Sequence, residues 1–218
     1  LVGHWTFDGN DIDWSNASAE IKDVSGRGNH GDALGSLATT SVIPGKLGQA
    51  LSFNGTSDIT VSDRASLEFT TSQLTLSAWV KWDIFPVADS YTSQSVIGRN
   101  DNGVGSRYEL YFFRGGGSLQ LDFLVRPSGV LGPYNLYTDY GFNTNQWYYI
   151  VAVYNNTIMT VFVNGTLVNS GTVGGGSFTD GTVDLIVGGD AQGIIDDARV
   201  YNRALSATEI ADIYNLGK

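Results

Sequence analysis

Tyr91, Gln94, Arg99, Asn100, Asp101, Asn102 and Arg107 crowd into one stretch, residues 83–107. Tyr134, Tyr137, Asp139 and Tyr140 share a second, residues 126–140. Aromatic rings offer a flat apolar surface, and Asn, Asp, Gln and Arg offer planar donors and acceptors. Together they suit the CH face and the hydroxyls of a sugar ring. Both stretches read as long insertions between strands, and exposed loops on a rigid sandwich are where binding groups usually sit. Tyr91, Arg99, Asp101, Asn102, Arg107, Tyr134 and Tyr137 are therefore candidates for saccharide contact. Trp79 is an eighth, an aromatic in the polar register of its strand that either faces a ligand or packs beneath a loop. Against each ring stands the plainer role of covering a core edge. Arg107 and Arg126 could equally pair with nearby carboxylates.

Other chemistries find fewer residues. The chain has no Cys, which excludes disulfides, thiolate zinc sites and cysteine nucleophiles together. A Ser/His/Asp arrangement would have to use His4 or His30, and no Gly-x-Ser-x-Gly elbow is present. The 22 acidic residues outnumber the 12 basic ones and give a net charge of −10. That balance argues against nucleic acid and anionic membranes, which require a basic face. No apolar run has the length of a membrane span. The acidic, Lys-poor composition leans toward an extracellular setting.

Strands must position these residues. With 28 Gly, 4 Pro and short β-branched runs between Asn/Asp/Gly/Ser clusters, 1–218 reads as one all-β domain, an antiparallel two-sheet sandwich. Strands are expected over Leu74–Trp82, Tyr108–Phe113, Leu119–Val125, Trp147–Tyr154, Thr157–Val163 and Thr166–Ser170. Leu74, Leu76, Ala78 and Val80 share the core face of the first. Asn155-Asn156 and Asn164-Gly165 are tight-turn signals, and the two apolar faces of Trp147–Tyr154 place it mid-sheet. One short C-terminal helix starts at a capping box, Ser206 with Glu209, stapled by Leu205 and Ile210.

Seven segments in series then carry a resemblance. They are Trp5-Thr6-Phe7-Asp8, the 23–31 loop (Asp23-Val24-Ser25-Gly26-Arg27-Gly28-Asn29-His30-Gly31), the 45–55 segment from Gly45-Lys46-Leu47-Gly48-Gln49 to Phe53-Asn54-Gly55, Leu76–Lys81, Gln146-Trp147-Tyr148-Tyr149, Phe162-Val163-Asn164-Gly165, and the 195–206 segment beginning Ile195-Asp196-Asp197. In order and spacing the chain resembles the bacterial laminin-G-like jelly-roll domains of the concanavalin A-like lectin/glucanase superfamily. The resemblance implies a concave and a convex sheet, an extracellular module with neighbouring domains in a longer chain, and a bound calcium. Calcium takes six to eight hard oxygens. The resemblance assigns it to Asp8 and Asp196, with Asp23 and Asn29 from the glycine-rich loop. Asp23 and Asn29 also suit Asx-turns.

Enzymes of that superfamily supply a further test. Its retaining glucanases set two carboxylates on one strand face with a Glu-x-Asp-x-x-Glu spacing, and Glu20, Glu68, Glu109 and Glu209 begin no such motif. Asp196 and Asp197 are adjacent, so on a strand they point to opposite faces and cannot form the pair. Its lyases need a Gln-x-His strand, which neither His4 nor His30 provides. The expectation is a non-catalytic, calcium-stabilised module binding a poly- or oligosaccharide on a secreted or cell-surface protein. The alternatives are an adhesive domain with a protein partner and a diverged hydrolase or lyase.

Overall fold

The structure is a computed structural model that describes residues 1–69, 71–87, 93–99, 108–115, 117–128, 132–178 and 183–218. Its strands in chain order are β1 (Gly3–Trp5), β2 (Asp32–Leu34), β3 (Val42–Pro44), β4 (Gln49–Asn54), β5 (Asp58–Val61), β6 (Gln73–Trp82), β7 (Ser93–Arg99) and β8 (Tyr108–Gly115). They continue as β9 (Ser118–Val125), β10 (Tyr134–Thr138), β11 (Tyr148–Asn155), β12 (Ile158–Val163), β13 (Thr166–Thr172), β14 (Leu185–Val187) and β15 (Gln192–Tyr201), and helix α1 (Ala207–Leu216) closes the chain. One sheet has eight strands in the order β13-β12-β11-β6-β15-β4-β3, with β1 also paired to β15. The other has seven, β10-β9-β8-β7-β14-β5-β2. Every pairing is antiparallel. This is the expected sandwich, with the jelly-roll character and the terminal helix. No helix of the described residues is long and apolar enough to cross a membrane.

Alternation builds the main core. Leu74, Leu76, Ala78 and Val80 of β6 face Leu110 and Phe112 of β8 and Leu121, Phe123 and Val125 of β9 in one cluster between the sheets. The eight-stranded sheet is buried on its other face too. There Trp79, Tyr149, Val151, Val153 and Phe162 form a second cluster with Leu205 and Ile210 under α1. The expected cap is present: Ser206 accepts from the Glu209 amide while Glu209 reaches back to Ser206. Asn156, Asn164 and Gly165 hold the two hairpin turns at positive φ of 56°, 52° and 77°, the geometry such tight turns require.

Two expectations need correcting. Stretches 83–107 and 126–140 are not wholly loops, because each holds a strand, β7 and β10, of the seven-stranded sheet. And Asp196 and Asp197 do not point to opposite faces. The β15–β6 register slips between Asp196 and Arg199, and Asp197 takes φ 52°. This bulge inserts an extra residue between core-facing Ile195 and Ala198. Asp196 pairs opposite Trp79, and Asp197 meets His4 and Arg199, so both carboxylates lie outside the core.

Candidate functional site

Asp8 and Asp196 come together although they stand at opposite ends of the chain. Both grip one glycine turn. Asp196 Oδ2 accepts from the Lys46 and Leu47 amides at 2.7 and 2.8 Å, and Asp8 Oδ1 accepts from the Gln49 amide at 2.7 Å. A Cβ on Gly45 would stand 2.6 Å from Asp196 Oδ2, and one on Gly48 only 2.3 Å from Asp8 Oδ1. Only glycines admit carboxylates this close. Asp196 is fully buried and its Oδ1 has no partner. Burial above all, then Asp197 and Asp8, pushes its carboxyl up to about 7, against the pull of the two amides. An orphan carboxylate oxygen beside a second carboxylate suits a hard cation. Among the described residues no three His, Cys, Asp or Glu gather as a metal cluster, so carbonyls or water would complete the shell.

Asp23 and Asn29 are engaged elsewhere. Asp23 accepts from the His4, Ser25 and Asn29 amides and the Ser25 hydroxyl. Asn29 donates to the Val2 carbonyl and accepts from Ser66 Oγ, and its own carbonyl takes the Trp5 indole N–H. This is an Asx-type turn that pins the 23–31 loop onto β1, and it spends the oxygens that a metal would need.

The saccharide candidates separate as well. Tyr91, Asp101, Asn102 and Arg107 lie outside the described residues. Trp79 is 2% exposed and has no free ring face: Tyr149 and Tyr214 pack at 5.2 and 5.6 Å, and Lys46 Nζ sits 5.1 Å from its centroid. It is a core residue of the second cluster. Arg99, 1% exposed, is spent on Asp63, Glu68 and the Leu67 and Val183 carbonyls. It ties β7 to the 63–68 segment and cannot meet a ligand. Tyr134 is half-buried against the main core, next to Gly174.

Tyr137 remains, 50% exposed. It stands on the outward face of the seven-stranded sheet, at the end of a row that crosses four strands. Tyr137 is opposite Asp122, Asp122 opposite Tyr111, and Tyr111 opposite Ser95. Tyr111 donates its hydroxyl to Asp122 Oδ2. Asp122 Oδ1 has no partner although the residue is fully buried. Burial raises the Asp122 carboxyl to about 6 and Glu109 adds to the rise, against the pull of the Tyr111 hydroxyl and of the Leu136 and Phe123 amides. Burial and the Asp122 carboxylate raise the Tyr137 phenol. Beyond Tyr111 the face sinks into a groove of about 260 Å³ between Ser93, Ser95, Gly98, Glu109, Ile186, Gly189 and Asp190. Gly98 makes this floor, since a Cβ there would meet Glu109 at 2.6 Å.

A family model described as the Concanavalin A-like lectin/glucanases superfamily, of laminin-G type, matches residues 53–211. The chain belongs to this superfamily. No curated protein matches the chain by sequence. Among solved structures, domain 4 of AbnA, a GH43 extracellular arabinanase from Geobacillus stearothermophilus in complex with arabinotriose, is similar at TM-score 0.74 and 23% identity. That match covers 100% of this chain and 98% of that one. The binding domain of Paraclostridial Mosquitocidal Protein 1 follows at 0.69 and 18%, covering 99% of this chain and 52% of that one. The receptor binding domain of botulinum neurotoxin C/D mosaic serotype follows at 0.67 and 16%, covering 98% and 50%. This laminin-G-type chain thus spans about half the length of the toxin binding domains. At these identities the likeness is one of fold, shared with binding domains.

Sequence reasoning missed Glu109, Tyr111 and Asp122 in this lectin-like sheet. A signal was present. Tyr108, Leu110 and Phe112 alternate inward along β8, and Leu121, Phe123 and Val125 along β9, so the residues between them face out. Asp in mid-strand is also uncommon.

Proposed function

We propose that the protein is a non-catalytic saccharide-binding module of a secreted or cell-surface protein, and that it binds its ligand on the outward face of the seven-stranded sheet. One observation carries the reading: the exposed Tyr137 ring beside the buried, unpartnered Oδ1 of Asp122. A sugar stacks its CH face on the ring and directs a hydroxyl toward the neighbouring carboxylate. An acceptor left buried and unmet costs about 1–3 kcal/mol, which a ligand donor recovers. The Asp122 carboxylate favours a neutral or cationic saccharide over a sulfated or uronic one. The similar fold of an arabinanase domain in complex with arabinotriose makes arabinotriose the first probe. Calorimetric titration with arabinotriose and other neutral oligosaccharides tests the reading, with turnover assays expected to show no cleavage. A panel in which nothing binds would sink it.

Calcium belongs to the same proposal. Asp8 and Asp196 would hold the ion over the Gly45–Gly48 turn, with the orphan Oδ1 of Asp196 as a ligand. Its role there is structural, joining the first strand to the last.

A further inference from the structure

We propose that the ligand is a chain read along its interior. It runs from the Tyr137–Asp122 row across the sheet, over the Ser93–Asp190 rim, and into a second groove against Phe85. This rests on the saccharide reading above and extends it from one contact point to a path. From β10 to β7 the row spans three interstrand spacings, about 14 Å at ~4.8 Å each, which is longer than a single sugar ring. The groove beyond it and a second one of about 300 Å³ share Ser93 and Asp190, so the two adjoin at this rim. The far groove has its own orphan. Gln94 lines it, is 3% exposed, and leaves Oε1 without a partner. Gln94 pairs opposite core-facing Phe112, so it faces the mouth between the sheets rather than the outward face. It is therefore a second acceptor, independent of Asp122. Phe85 and Pro86 give that end an apolar wall for a CH face. Acidic side chains along the path, Asp122 and Asp190, disfavour an anionic chain.

The test uses calorimetry with arabino-, xylo- and cello-oligosaccharides, each series running from the monosaccharide to the hexasaccharide. In the series that binds, affinity should climb by about tenfold or more with length. Gln94→Ala should remove the gain of the longer members and leave the shorter ones as in wild type. Phe85→Ala, at the half-buried wall, should do the same if Gln94→Ala folds poorly. Tyr137→Ala should weaken every member. A bound series whose affinity is flat with length overturns the path and leaves the saccharide reading standing. So does equal weakening of short and long members by Gln94→Ala or Phe85→Ala. If no member of any series binds, both fall.

Discussion

Asp122 and Arg99 are both buried charged residues with opposite meanings. Arg99 is surrounded by partners, two carboxylates and two carbonyls. Removing one side of such a buried arrangement leaves the other charges unpaired, at about 3–5 kcal/mol. Arg99→Ala should therefore lower the melting temperature sharply, and any folded fraction should bind saccharide as wild type does. Lost affinity with an unchanged melting temperature would restore Arg99 as a ligand contact. Asp122 is only half satisfied, and its carboxyl, raised to about 6 by burial, gives a pH signature. Between about pH 4 and 6 the native state keeps a proton that the unfolded chain has released. Stability from this group is present at low pH and fades as pH rises through 6, by at most about 3 kcal/mol. Asp122→Asn should flatten that part of the melting-temperature profile. A ligand hydroxyl that bonds the ionised form pulls its pKa down, so wild-type affinity should strengthen from pH 5 to 7. Glu109, Tyr111 and Tyr137 face the same group, and a profile unchanged in Asp122→Asn would contradict the assignment of this titration to Asp122.

At the scale of elements, β6, β8, β9, β11 and β12 were legible because apolar residues alternate along them or fill both faces, and β13 because the Asn164-Gly165 turn precedes it. The helix was legible because Ser206 and Glu209 are spaced for reciprocal capping. Ser206→Ala removes that cap and should cost about 1 kcal/mol, measurable by denaturant titration. A loss below the error of the titration would show that packing of Ile210 alone holds α1. Two strands were not legible. In β7 polar Ser93, Gln94 and Ser95 occupy both registers before Val96 and Ile97, and in β10 tyrosines stand on both faces. The Trp79 reading failed for a related reason. Alternation marks its face as exposed only if nothing covers it, and α1 covers it: a Cβ at Gly217 would come within 2.6 Å of the Trp79 ring. Of the proposed site, Tyr137 was legible as an aromatic in a polar stretch. Asp122 was not, because its significance lies in cross-strand neighbours that the linear order separates by 11 and 15 residues.

Over the whole molecule the two chain ends meet. Strand β1 pairs with β15, and Asp8 and Asp196 hold one turn between them. An ion bound there, as proposed, would stabilise the native state by mass action. Calcium should raise the melting temperature and EDTA lower it, and Asp196→Ala should abolish the response. Melting that ignores both calcium and chelator would assign the corner to hydrogen bonding alone. The proposed saccharide face lies on the other sheet, so loss of calcium should change stability before it changes intrinsic affinity. The most direct measurement is calorimetric titration of wild type, Tyr137→Ala and Asp122→Asn with arabinotriose and a panel of neutral oligosaccharides. Wild type should bind with micromolar to millimolar affinity, roughly −4 to −8 kcal/mol, weakened in both variants with their folds intact. Binding that persists unchanged in both, or a panel to which wild type does not bind, would contradict the proposal.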